Sequence, residues 1–169
     1  MNLSLQHFLS PKILPLQELA VGLELSNKPF LWAVRSDINK AANYDFLKEF
    51  EERLSSQGKV IGWAPQQKVL NHRSIACFLS HCAWNSTLEG VINGVPFFAD
   101  QYIDEAYICD IWKVGLRLGR NDGVISREEV ASKINQVFHD EEFRARALEL
   151  KEKAISSVKA KKVTAQTRI

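Results

Sequence analysis

Ile75-Ala76-Cys77-Phe78-Leu79 runs into Ser80-His81-Cys82-Ala83-Trp84-Asn85 and then Ser86-Thr87-Leu88-Glu89-Gly90-Val91-Ile92-Asn93-Gly94, and this stretch decides the fold. An unbroken apolar run of this length suits a strand covered on both faces. The polar and aromatic link after it predicts a turn, Ser86 to Asn93 predicts a helix, and Gly94 is placed to end it. Outward from here the alternation repeats. Phe30-Leu31-Trp32-Ala33-Val34-Arg35, Lys59 to Gly62, Val95 to Ala99 and Gly115 to Leu118 are further strand candidates. Between them, Leu16, Leu19, Ala20 and Leu23 form the buried stripe of a helix with Pro15 in its first turn. Asp45 is placed to cap a helix lined by Phe46, Phe50 and Leu54, and Gln67 to Asn71 suits a helical turn or two. A helical pattern also runs through Ile103, Tyr107, Ile111 and Val114. Ser126 and Glu129 have capping-box spacing before Val130, Ile134 and Val137, and Asp140 opens a last charged helix. Strand, helix, strand at this spacing predicts an α/β fold with a parallel sheet and helices on both faces.

The 169 residues carry 22 basic and 20 acidic side chains, a net +2, which gives no case for a dedicated nucleic-acid binder. With 46% apolar residues a core is expected rather than disorder. Three cysteines argue for reduced thiols and a cytoplasmic setting. No apolar stretch is long enough for a membrane span, and Met1 to Leu16 lacks the cationic flank of a secretory signal. Residues 1–150 are expected to form the folded domain. From 151 to 169 six Lys and Arg face one acid, Glu152, which predicts a solvated basic tail or, alternatively, a contact for phosphate or an acidic partner.

In open parallel sheets ligands bind beyond the carboxyl ends of the strands. Three groups fall there: Trp63-Ala64-Pro65-Gln66, His81 to Ser86, and Asp100-Gln101. Indoles, an imidazole, amides, a hydroxyl and a carboxylate on one rim suit a nucleotide or a sugar. Asn85-Ser86 opens a helix, whose unpaired N–H groups and positive end can hold a diphosphate, with His81 as an added donor. Spacing alone also fits a simple Ser86–Glu89 capping box. Trp63 can stack on a base, or pack as an ordinary rim residue; Asp100 can bond sugar hydroxyls or cap the next helix. Cys77, His81, Cys82 and Cys109 lack zinc-ligand spacing, and no serine or cysteine sits in a nucleophile elbow. Neither a metal site nor a catalytic nucleophile is expected.

The segments Trp63 to Leu70, Phe78 to Gly90, Asn93 to Pro96 and Ala99 to Gln101 resemble the nucleotide-sugar signature of plant UDP-glycosyltransferases. Phe30 to Asp37 and Tyr107 to Leu118 are similar to its 83A-type members, and the resemblance covers about residues 8 to 158. It implies the C-terminal, donor-binding half of a two-lobed GT-B fold, a doubly wound Rossmann-like sheet. Carried over, Trp63 would stack on uracil with the Ala64 backbone beside it, and Gln66 and Glu89 would hold the ribose. His81, Asn85 and Ser86 would contact the diphosphate, while Trp84, Asp100 and Gln101 would meet the sugar. The implied reaction is inverting transfer of a hexose, glucose by family habit, from a UDP-sugar to a hydroxyl of a small metabolite. The UDP-sugar is a co-substrate, and the family needs no metal or other cofactor.

Four departures qualify this. Ala83 stands where the family has Gly, beside the phosphates. Between Phe97 and Phe98 about five residues of the family signature are lacking, a span of ~16 Å in extended chain, which bears on the reach of Asp100 and Gln101. The chain is expected to lack the first, central strand of this lobe. The N-terminal lobe, which in the family supplies the catalytic base and most of the acceptor pocket, is expected to be lacking too. Two readings therefore stay open, a glycosyltransferase or a donor-lobe remnant that binds UDP or UDP-sugar without turnover; a truncated gene product is the third.

Overall fold

The computed structural model describes residues 2–7, 15–34, 41–54, 56–80, 84–99 and 105–166. Six strands form one sheet: β1 (Asn2–His7), β2 (Phe30–Val34), β3 (Gly58–Ile61), β4 (Ile75–Ser80), β5 (Phe97–Ala99) and β6 (Gly115–Arg117). Their order is β3-β2-β1-β4-β5-β6, and every neighbouring pair is parallel. The crossovers carry helices α1 (Leu16–Ser26), α2 (Ala41–Arg53), α3 (Gln66–Leu70), α4 (Trp84–Asn93) and α5 (Tyr107–Ile111, a turn of π-helix). Two helices, α6 (Arg127–His139) and α7 (Glu141–Gln166), complete the chain. This is the doubly wound arrangement that the alternating apolar runs predict.

One expectation is overturned. The central strand is not lacking, because Asn2–His7 occupies its place between β2 and β4. Leu3 pairs with Phe30 on one side and Cys77 on the other. Without it, the facing backbone groups of β2 and β4 would be left unpaired inside the sheet, a cost that any segment able to extend can relieve.

Two apolar layers sandwich the sheet. On one face α1, α2 and α6 cover Trp32, Val34, Cys77, Leu79 and Phe98. Phe50 of α2 stacks on Phe30 and meets Trp32 edge-on at 5.9 Å between centroids. There α1 and α6 approach so closely that a Cβ on Gly22 would lie 2.6 Å from the Cβ of Val130. Glu18 locks the same pair: its carboxylate accepts the Arg127 backbone N–H at 2.9 Å and the guanidinium as well. On the other face α3, α4, α5 and α7 cover Ile75, Phe78 and Phe97. Gly90, in the middle of α4, lets that helix sit on Phe97, whose ring would be 2.1 Å from an added Cβ.

Helix ends differ from the expected ones in informative ways. Gly94 does end α4, with φ +66° and its N–H donating to Val91 O while Val95 N–H donates to Gly90 O, a Schellman closure. Ser126 caps α6 through the Glu129 N–H, but the Glu129 carboxylate turns to the Gly119 N–H at 2.7 Å instead of reaching back. Pro15 is the N-cap of α1 rather than part of its first turn. Asp45 is no cap: α2 begins at Ala41, which places Asp45 inside it. The helix opened by Asp140 runs unbroken through Lys151 to Gln166. Ile103 lies outside the described residues.

Candidate functional site

The carboxyl ends of β3 and β4 carry the first two expected groups. Beyond Ile61 the chain turns at Gly62 and presents Trp63, which is 78% exposed. Its indole is therefore not packing against the core, and a broad apolar face stands free on the rim. Ala64 is half-buried, Pro65 occupies the N-cap position of α3, and Gln66 is that helix's first residue.

Across from it, Trp84, Asn85 and Ser86 are the first three residues of α4. Trp84 is 54% exposed, Asn85 is exposed and Ser86 is nearly buried. The N–H groups of a helix's first turn have no partner within the helix, and no acid lies in the first turn of α4, so that turn presents its positive end. Thr87, next along, is fully buried, and its Oγ1 has no hydrogen-bond partner. Leaving a buried hydroxyl unmatched costs about 1–3 kcal/mol.

A single carboxylate ties the two groups together. Glu89 Oε2 accepts from Gln66 Nε2 at 2.6 Å, and Oε1 accepts from Gln67 Nε2 at 3.3 Å. The Ser86–Glu89 capping box is thereby excluded. Ser86 lies inside α4 rather than at its cap, and both oxygens of Glu89 are turned to α3. Amide donors leave the negative charge of Glu89 in place while fixing its position. Gln67 and Thr87 were not among the expected residues. The amide doublet Gln66-Gln67 is a signal in the sequence for the first, whereas nothing local marks a buried, unmatched threonine.

Trp63, Ala64, Gln66, Trp84, Asn85, Ser86 and Glu89 thus follow the carboxyl ends of β3 and β4, on the same rim of the sheet with β2 and β1 between them, and the Gln66–Glu89 contact joins the two groups. His81, Asp100 and Gln101 lie outside the described residues, as does Ala83. Cys77 and Cys109 are free thiols on opposite faces of the sheet. Burial pushes both up, Cys77 well above the usual thiol range and Cys109 to about 11, so neither is a ready nucleophile. Among the described residues no three His, Cys, Asp or Glu side chains lie together as metal ligands, and no helix is long and apolar enough to cross a membrane.

Comparison with known proteins places this geometry. Residues 11–156 match the family described as UDP-glucoronosyl and UDP-glucosyl transferase. UDP-glycosyltransferase 83A1 of Arabidopsis thaliana is 46% identical over 150 residues, covering 85% of this chain and 30% of the relative. Linamarin synthase 1 of Manihot esculenta is 40% identical over 151 residues, covering 85% of this chain and 31% of the relative. Among solved structures, Os79 from O. sativa, crystallised with UDP, superposes with a TM-score of 0.78 at 34% identity, over 90% of this chain and 36% of that one. Phytolacca americana UGT2, complexed with UDP-2fluoro-glucose and pterostilbene, gives 0.76 at 33% identity, over 89% and 36%. The chain spans about a third of the length of these relatives. Its parallel α/β sheet is the Rossmann-like C-terminal lobe of their two-lobed GT-B fold. By matched sequence and by shared structure, the chain belongs to the UDP-glucoronosyl and UDP-glucosyl transferase family.

Proposed function

We propose that this chain binds a UDP-sugar on the rim built by Trp63 and α4, and that with a complementary N-terminal lobe it transfers a hexose, glucose first, to a hydroxyl of a small metabolite. The observation that carries this is the Glu89 carboxylate held by Gln66 and Gln67. It fixes an anionic acceptor pair for ribose hydroxyls on the contact between α3, which follows the exposed Trp63 indole, and α4. Trp63 stacks on uracil, with the Ala64 backbone along its edge. Asn85 and Ser86 meet the diphosphate, joined by His81. Trp84, Asp100 and Gln101 face the sugar. Residues 1–150 form the donor-binding unit, and 151–169 are a basic extension, of which 151–166 make the far half of α7.

In the transfer the acceptor oxygen attacks the anomeric carbon as its bond to the diphosphate oxygen breaks, inverting that carbon. The hydroxyl proton passes to a base. The resemblance assigns that base to the other lobe, so this chain orients the donor and stabilises charge on the departing UDP. UDP-sugar serves as co-substrate and no further cofactor enters. A cytoplasmic setting accords with the two free thiols.

Calorimetric titration with UDP tests the binding. The wild-type chain is expected to bind, and Trp63→Ala to bind more weakly by about 1–3 kcal/mol, the usual contribution of a base–aromatic stack. Equal affinities would remove the stacking role. A second reading, donor binding without turnover, applies to these 169 residues tested by themselves, because the resemblance assigns the base to the other lobe. It predicts no glucosylated product by mass spectrometry from UDP-glucose and a panel of phenols, and a detected product would overturn it.

A further inference from the structure

At the opposite edge of the sheet, where β2 and β4 begin, lies a cleft of about 450 Å³. Strand starts form its floor: Phe30 and Leu31 of β2 and Ile75 of β4, with Val69 of α3 as an apolar wall. Its volume falls within the range of small-molecule sites. Among the described residues the polar side chains lining it are Lys59, Lys68 and His72, and none of those lining it is acidic. Lys59 is already paired, its ammonium 2.7 Å from Glu51 Oε1, which leaves Lys68 as the cation to answer a ligand. His72 Nδ1 accepts the Ser74 N–H at 3.3 Å, so the proton of the neutral ring sits on Nε2 and that nitrogen is a donor.

We infer that this cleft is a second binding site, separate from the donor rim, for a small organic anion with a flat apolar body. Its chemistry is selective in two respects. The half-buried Leu31 and Val69 and the nearly buried Phe30 and Ile75 offer an apolar bed that an inorganic ion cannot use. Among the described lining residues Lys68 and His72 have no carboxylate partner, so an acidic head group completes the site while a hydroxyl does not. The site is independent of the UDP reading. It uses the far end of α3, and none of Trp63, Gln66 or Glu89 lines it.

The test uses 2-naphthoate as probe and 2-naphthylmethanol as its neutral counterpart, each titrated against the full chain by ligand-observed NMR. Naphthoate is expected to bind about tenfold more tightly than the alcohol, the scale of one hydrogen-bonded charge. Lys68→Gln with His72→Gln, both exposed positions, is expected to erase that preference without changing the UDP titration or the circular dichroism. Naphthoate and UDP are expected to bind together without competition. Equal binding of acid and alcohol, an unaltered preference in the double variant, or displacement of naphthoate by UDP would each overturn the proposal. Loss of UDP binding in wild type, with naphthoate binding retained, would sink the donor-rim reading and leave this one standing.

Discussion

The two layers that cover the sheet are finished to different degrees. On the α1/α6 face the helices interlock: Gly22 admits Val130, Glu18 clamps Arg127, and Trp32 and Phe50 are fully buried beneath. On the α4/α7 face a row of large apolar side chains stays open to solvent, with Trp84, Leu88 and Ile92 along α4 and Leu148, Ile155 and Val158 along α7. Residues at i, i+4 and i+8 share one side of a helix, so the three on α4 form a stripe that begins at the donor rim. The first layer secures the fold, and the second carries the proposed donor rim at its edge. A substitution should therefore cost stability on one face and function on the other.

The comparison breaks most visibly if Trp32 can be truncated cheaply. Trp32→Ala is expected to cost about 3–5 kcal/mol in urea unfolding, because the void opens against Phe50 in the tightest part of the core. Gly22→Ala comes next, at about 1–3 kcal/mol, since the new methyl meets the Val130 side chain and the Arg127 carbonyl. At the open face Leu88→Ser is expected to move the unfolding midpoint by less than about 0.5 kcal/mol. A large loss there would mean that the second layer, too, is structural.

The Glu18–Arg127 clamp sharpens the comparison through pH. Hydrogen bonding to Arg127 holds the Glu18 carboxyl below the usual carboxylate range. A group depressed on folding adds stability above its unfolded pKa and loses it as pH falls through the folded one. Wild type should therefore gain stability over Glu18→Gln at neutral pH, with the gap closing on acidification below the ordinary carboxylate pKa. Urea midpoints for both proteins at pH 7 and pH 3 check this, and a gap that does not narrow between the two would refute it.

Much of the sheet was legible because β2 and β4 are short apolar runs, and buried parallel strands need little else. β1 was not. Asn2-Leu3-Ser4-Leu5-Gln6-His7 alternates polar with apolar, the pattern of a half-exposed strand, yet backbone pairing on both sides puts it at the centre. Residues that make strand hydrogen bonds need not advertise it in their side chains. Asp45 misled for the converse reason: it is a good cap residue, but α2 extends a turn upstream through Ala41 and Ala42. At the site, the rim position of Trp63 and α4 followed from strand ends alone. The Glu89 tie did not, because Ser86–Glu89 spacing suits a cap, and only the approach of α3 rules that cap out.

The most direct test of the central claim is a crystal structure of this chain with UDP soaked in. The account predicts the uracil ring stacked on Trp63, the ribose hydroxyls on Glu89 and the diphosphate at the first turn of α4. UDP bound elsewhere, or bound with the Trp63 indole out of contact, would contradict it.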